Sequence, residues 1–191
     1  MEMEKSTNAR IDNVSEPVTL DKLAGDWQIY QLQKGHRFST DDLLTAFLAS
    51  TLAPDAERVL DLGAGIGSVG LLTLWKLQQN PRTRQMVMVE AQEISHRLCK
   101  ATVALNRLDV ETRYGDLRDP EMVPEQNYFD LITGSPPYIP LGKGAVSPHP
   151  QRAACRMELR GSIFDYAATA SRTLHPEGWF VACFAAQDPR A

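Results

Sequence analysis

Apolar positions along the chain fall into short runs divided by turn-forming residues, and their spacing alternates between strand-like and helix-like periods. Trp27-Gln28-Ile29-Tyr30-Gln31-Leu32 alternates apolar and polar side chains, as a half-buried strand does. After Gly35, Leu43, Leu44, Phe47, Leu48 and Leu52 recur at helical spacing behind Ser39-Thr40-Asp41-Asp42. Ser39 or Thr40 is placed to cap that helix, with two acids in its first turn. From Arg58 onward the two periods take turns. Arg58 to Leu62 reads as a strand, Ser68 to Gln79 as a helix stopped at Asn80-Pro81, and Met86 to Glu90 as a buried strand. Ile94 to Asn106 follows as a helix, Val110 to Tyr114 as a weaker strand, and Phe129 to Thr133 as a fourth strand. Ile163 to Leu174 is a further helix, and Trp179 to Phe184 a fifth strand. Such alternation predicts an α/β fold, a mostly parallel sheet with helices on both faces. Residues 1–25 carry Pro17 and Gly25 without a clear period, which predicts an extended or partly disordered arm ahead of one domain over 26–191.

Composition narrows the class. The 191 residues are 43% hydrophobic, enough for one domain with a real core. A net charge of -4 gives no global attraction to nucleic acid, so any such contact rests on local Lys and Arg. Cys99, Cys155 and Cys183 lie far apart without a C-x-x-C spacing, which argues against a disulfide framework or a zinc site and predicts a metal-free protein of a reducing compartment. No apolar run approaches the ~20 residues that span a bilayer, and no apolar segment follows Met1 to Lys5. The expectation is a cytoplasmic protein without membrane contact.

In an open α/β sheet, ligands bind beyond the carboxyl ends of the strands, and the candidate chemistry falls at those ends. Asp61-Leu62-Gly63-Ala64-Gly65-Ile66-Gly67 closes the first of the alternating strands with three glycines, which lets backbone approach a ligand ahead of a helix N-terminus. Gly65-Ile66-Gly67-Ser68-Val69-Gly70 also satisfies G-x-G-x-x-G, so a dinucleotide cofactor competes with other nucleoside cofactors at this point. Glu90 ends the next strand, where an acid can accept both hydroxyls of a ribose. Asp116 follows the third, in Tyr114-Gly115-Asp116. The fourth runs into Gly134-Ser135-Pro136-Pro137-Tyr138. Two prolines fix their φ angles and hold nearby carbonyls rigidly. An exocyclic amine is a poor nucleophile because its lone pair is delocalised. A side-chain oxygen paired with a backbone carbonyl can bind its two hydrogens and localise that lone pair, while Tyr138 offers a stacking face for a base.

Taken in order, Asp61-x-Gly63-x-Gly65-x-Gly67, Glu90, Asp116 and Ser135-Pro136-Pro137-Tyr138 resemble the Rossmann-like class I methyltransferases of the small methyltransferase domain family. Among these the likeness is to bacterial tRNA adenine-N6 methyltransferases. Phe38 to Leu44 resembles the family's cofactor-covering segment, and Arg156-Met157-Glu158-Leu159 an Arg-x-Glu element after the catalytic loop. The resemblance implies S-adenosyl-L-methionine as cofactor, held by Thr40, Asp61, Gly63, Gly65, Gly67, Glu90 and Asp116, with Asp116 accepting from the adenine amino group. It implies Ser135, Pro136, Pro137 and Tyr138 as the catalytic loop, and adenine N6 in tRNA or another structured RNA as the methylated group.

The chain departs from the pattern in two ways. Ser135 stands where the family usually has Asn, and Ser-Pro-Pro-Tyr also resembles cytosine-N4 methyltransferases. Five strands are legible where such sheets have seven, so the expectation is a sequence that stops short of the closing strands. For RNA contact the candidates are Lys34 and Arg37, beside His36, and Lys143, Arg152 and Arg156 in the stretch to Arg160. Gly142, Gly144, Pro148 and Pro150 mark a mobile substrate loop. Protein glutamine-N5 methylation uses similar loop chemistry. An NAD-dependent oxidoreductase lacks a hydride-transfer constellation here, and a non-catalytic cofactor-binding scaffold is the third rival. The sequence leaves oligomeric state open.

Overall fold

The computed structural model describes residues 7–9, 11–140, 142–143, 145–185 and 188. Residues 1–6 and 10 of the expected arm, Gly144 of the expected substrate loop, and 186–187 and 189–191 at the C-terminal end lie outside the described residues.

Five strands form one all-parallel sheet: β4 (Arg58–Leu62), β5 (Gln85–Glu90), β6 (Glu111–Tyr114), β7 (Phe129–Gly134) and β8 (Leu174–Ala182), in the order β6-β5-β4-β7-β8. The order reverses direction between β4 and β7, so the loops leaving those two strands part and open a crevice. Alternation along each strand sends side chains to opposite faces. Val59, Met86, Met88 and Leu131 join one cluster, and Leu60, Leu62, Val87 and Val89 the other. Two cores on two faces explain why β4 and β5 read as near-continuous apolar runs.

The helices are α1 (Thr40–Leu52), α2 (Ser68–Leu77), α3 (Glu93–Leu105), α4 (Pro150–Arg156) and α5 (Ile163–Thr173). Of these, α4 escaped the sequence reading, because seven residues with two arginines carry too little apolar period to register. On α1 the helical spacing is correct, but the apolar stripe faces outward. Leu44 and Phe47 are 60% and 61% exposed, while Asp42, Thr45, Ala46, Ala49 and Ser50 are buried. Small side chains let α1 lie close against α2, and Asp42 faces Ser68 there.

Within the arm expected over residues 1–25, the structure forms strands. Strand β2 (Val18–Ala24) pairs antiparallel with β3 (Trp27–Leu32) and with β1 (Thr7–Ala9). Val18 and Leu23 are buried, and Ile29 and Leu32 are fully so, in the core that also holds α2 and α3. The free edge of β3 is closed by α3: Tyr30 N–H donates to the Thr102 hydroxyl at 3.1 Å, and Asn106 bonds both backbone groups of Gln28. A two-residue turn at Gly25-Asp26 within a polar stretch hid this hairpin. Among the described residues, no helix is long and apolar enough to cross a membrane.

Ala49→Leu inserts side chain into the α1–α2 contact and is expected to destabilise by about 1–3 kcal/mol, whereas Leu44→Gln on the exposed face should fall within about 0.5 kcal/mol of the parent. Urea unfolding of both variants measures the difference. A large loss from Leu44→Gln with none from Ala49→Leu would reverse the assignment of the buried face.

Candidate active site

A cleft lies over the switch point between β4 and β7. Its floor is the loop after β4, one wall the end of β5 and the loop after β6, and the other wall the loop after β7. The roof comes from the start of α1 and from α4 with the segment behind it. Of the residues singled out in sequence, Asp61, Gly63, Gly65, Glu90, Ser135, Pro136, Pro137, Tyr138 and Arg156 line this cleft together.

Backbone geometry explains the glycine loop. Gly63 and Gly65 adopt φ of 59° and 58°, the left-handed region in which a side chain is strained. A Cβ at Gly65 would meet nothing within 4 Å, so the space over that residue belongs to the cleft. A Cβ at Gly63 would instead collide with the Tyr166 hydroxyl.

Asp61 is almost wholly buried at 1% exposure on the α2-facing side of β4. One carboxylate oxygen accepts from the Thr133 hydroxyl at 2.7 Å, and the other from the Gly70 N–H at 3.0 Å. The side chain therefore braces β4, β7 and the first turn of α2. Burial pushes its pKa up to about 7, against the bonds from Thr133 and Gly70 and with the charges of Asp42 and Glu90 adding to the rise. Glu90 is likewise buried. Its oxygens accept from Gly65 N–H at 2.8 Å and Gln92 N–H at 2.5 Å, so it clamps the glycine loop from the side. Burial raises its pKa despite those donors. A carboxylate has about four acceptor positions, which leaves capacity for hydroxyls entering from the cleft. Asp42, which the sequence reading used only as a helix-start acid, is the third buried acid. It accepts from Ser39 N–H at 3.1 Å and Ser68 hydroxyl at 3.0 Å, and burial raises its pKa too.

On the opposite wall, Ser135 and Tyr138 are exposed while Pro136 and Pro137 are buried between them. The Gly134 carbonyl accepts from Cys183 N–H at 3.2 Å, which fixes the loop to the exit of β8. Among the described residues, nothing donates to the Ser135 hydroxyl or the Pro136 carbonyl. Beyond Tyr138, Ile139 bridges to Met157 and is bonded to Arg156 and Glu158, which carries Arg156 to the rim.

The remaining candidates stand elsewhere. Thr40 is exposed as the first residue of α1, and Ser39 caps it. Gly67 is buried as the N-cap of α2, not on the cleft wall. Gly115 and Leu117 line the cleft, but the Asp116 carboxylate between them is bonded to Arg118 at 2.6 and 2.9 Å, which holds its pKa down. Arg37 turns away to Asp21 and Thr19, both at 2.8 Å, and Arg152 donates to the Gly35 carbonyl at 3.0 Å. Lys34 and Lys143 are exposed outside the cleft. The structure adds Asp42, Ser68, Gln92, Gln151 and Tyr166, and places Arg160, the end of the basic stretch, on the cleft as well. Gln151 ties α4 down by accepting from His36 N–H at 2.5 Å and donating to Ser95 at 3.2 Å. Only Asp42 carried a local signal, its place in the first turn of α1.

A doubly wound sheet with a glycine loop, an acid at the tip of the adjacent strand and a cleft at the switch point defines the class of α/β proteins whose architecture suits a nucleoside cofactor. The sequence matches the family model "Methyltransferase small domain" over residues 33–147, and the chain belongs to that family. It is 32% identical to a release factor glutamine methyltransferase of Aliivibrio fischeri over 108 residues, 53% of this chain and 36% of that protein. It is 29% identical to a tRNA1(Val) (adenine(37)-N6)-methyltransferase of Shewanella putrefaciens over 154 residues, 80% of this chain and 61% of that protein. The chain thus spans between about a third and three-fifths of these relatives' lengths. In fold it resembles a SAM-dependent methyltransferase of Agrobacterium tumefaciens, with a TM-score of 0.60 at 14% identity over 94% of this chain and 55% of that one.

The raised pKa values give the cleft a pH signature. The folded protein holds protons on Asp42, Asp61 and Glu90 that the unfolded chain has released. Stability from this source is full below about pH 4, the unfolded carboxylate range, and is lost as pH rises toward the folded value of about 7 at Asp61. Asp61→Asn keeps an acceptor for Gly70 and should remove part of the decline between mild acid and neutral pH, up to about 1.4 kcal/mol per pH unit. Calorimetric melts of the ligand-free protein across that range measure it, and an unchanged slope would count against the raised Asp61 pKa.

Proposed function

We propose that this chain transfers a methyl group from S-adenosylmethionine to an exocyclic amino group, adenine N6 of tRNA or another structured RNA. The observation that carries the reading is Ser135-Pro136-Pro137-Tyr138 in the same cleft as the glycine loop, polar and aromatic members exposed and prolines buried. The cleft fits the cofactor: the space over Gly65 is open, and Glu90 stands at the tip of β5 with accepting capacity to spare. There Glu90 would hold the ribose hydroxyls, the backbone of Gly63 to Gly65 the amino-acid end, and Leu117 the adenine face. When bound, S-adenosylmethionine supplies a sulfonium methyl that is activated toward nucleophiles. Three buried acids around the loop favour a cation, so cofactor affinity should rise as they ionise.

The Ser135 hydroxyl and Pro136 carbonyl accept the two hydrogens of the target amine. That holds its lone pair toward the methyl while Tyr138 stacks on the base. RNA contact falls to Arg156 and Arg160 on the cleft rim, with Lys34 and Lys143 farther out. Arg37 and Arg152 are weaker candidates, since both guanidinium groups already serve the protein's own structure. The similarity to the tRNA enzyme runs over 80% of the chain, which favours RNA. The second reading is glutamine-N5 methylation of a protein, favoured by the 32% identical relative, because the same acceptors would hold an amide nitrogen. A cytosine-N4 target follows if Ser135 sets the base.

Nucleoside mass spectrometry of RNA from cells with and without the protein tests the substrate. Loss of one methylated adenosine is expected, and an unchanged RNA profile with loss of methylglutamine would select the protein substrate. For the cofactor, S-adenosylhomocysteine should raise the melting temperature and NAD should not, and Gly65→Val should abolish the shift. Ser135→Ala should lower kcat on the order of 10²-fold with cofactor affinity unchanged. Tyr138→Ala should cost about 1–3 kcal/mol, and Tyr138→Phe should be tolerated. Full activity in both alanine variants would remove this loop from the chemistry. Arg156→Glu should weaken RNA binding and flatten its salt dependence without touching cofactor affinity.

A further inference from the structure

One cleft residue, Tyr166, belongs to neither the glycine loop nor the Ser135–Tyr138 loop. It lies in the first turns of α5, a helix started by Ser162 and Asp165, whose side chain bonds the Ser162 N–H at 2.7 Å. Side chains of helical residues lean back toward the N-terminus, and this one leans over the switch point. Its ring joins the core with Leu62, Val89 and Ile132, and the residue is 5% exposed. The little surface left belongs to the cleft.

Both loops at the switch point are shaped around it. A Cβ on Gly134 would lie 3.0 Å from the Tyr166 ring, and one on Gly63 would collide with its hydroxyl. The absence of side chains at these two positions is what admits the phenol between the glycine loop and the catalytic loop. Once there, the hydroxyl has no hydrogen-bond partner among the described residues. Phenylalanine would fill the same core space, so the hydroxyl is a group that packing does not require and that faces the cleft. Burial and the charges of Glu90 and Asp61 keep the phenol protonated, so it remains a donor.

We propose that the Tyr166 hydroxyl is a cofactor-binding group, left unpartnered by the protein because its partner is a polar atom of the ligand that sits between the Gly63 and Ser135 loops. The assignment rests on the cofactor reading above and adds a residue to it. In this view Gly63 and Gly134 are the spaces that let the phenol reach the ligand.

The test is Tyr166→Phe, which keeps the ring and removes only the oxygen. S-adenosylhomocysteine affinity, measured by titration calorimetry on the whole protein, should fall roughly tenfold, the effect of one hydrogen bond. The melting temperature of the ligand-free variant should stay close to that of the parent, because the ring and its packing are kept. A tenfold affinity loss with no loss of ligand-free stability supports the assignment. Unchanged affinity overturns it, and so does an affinity loss that comes with a lower ligand-free melting temperature, which would make Tyr166 a packing residue. If the unmutated protein itself fails to bind S-adenosylhomocysteine, it is the cofactor reading that fails, and that result is distinguishable because it precedes the variant. Gly63→Ala, which drives a methyl group into the Tyr166 oxygen, should lower ligand affinity in the parent and less so in the Tyr166→Phe background.

Discussion

The structure turns on one buried carboxylate. Asp61 sits on the face of β4 that packs against α2, among Val59, Met88 and Leu131, where an acid has no water to solvate it. It is tolerated because Thr133 and Gly70 each donate to one of its oxygens. Those two bonds join the strand that carries the glycine loop to the strand that carries the Ser135–Tyr138 loop, and both to the helix that starts between them. The gap at the switch point is therefore set from below by a charge the fold has to satisfy.

The other two acids extend the same constraint upward. Glu90 holds the glycine loop through Gly65, and Asp42 links the start of α1 to Ser68 at the start of α2. Burial raises the pKa of all three, so the cleft is an environment in which negative charge is under-compensated. A cationic ligand relieves that condition. Electrostatics and backbone shape thus converge on the same few cubic ångströms, and the unpartnered hydroxyl of Tyr166 enters them from the opposite face of the sheet.

The outer parts of the molecule obey weaker rules. The outward apolar face of α1 shows that helical spacing identifies a helix without identifying which side is buried. Ala46, Ala49 and Ser50 win the buried side because close approach to α2 requires small residues, and because Asp42 must reach Ser68. Helix α4 is held over the cleft by Gln151, Arg152 and the Ile139–Met157 bridge, all of them contacts between segments distant in sequence.

Sequence alone determined the five parallel strands, the helices α1, α2, α3 and α5, the glycine loop, Glu90 and the Ser135–Tyr138 loop. Each of these is written in local terms: a period, a turn residue, a strand end. Tertiary structure decided the rest. It made Asp61 a brace between β4, β7 and α2, gave Arg37, Arg152 and Asp116 internal partners, drew Val18 to Ala24 into a sheet, and brought Tyr166 to Gly63 across about a hundred residues of chain. Partners so far apart in sequence leave no periodic trace, because a hydrogen bond or a steric fit between them depends on where the packed elements place them and on nothing that either segment encodes by itself.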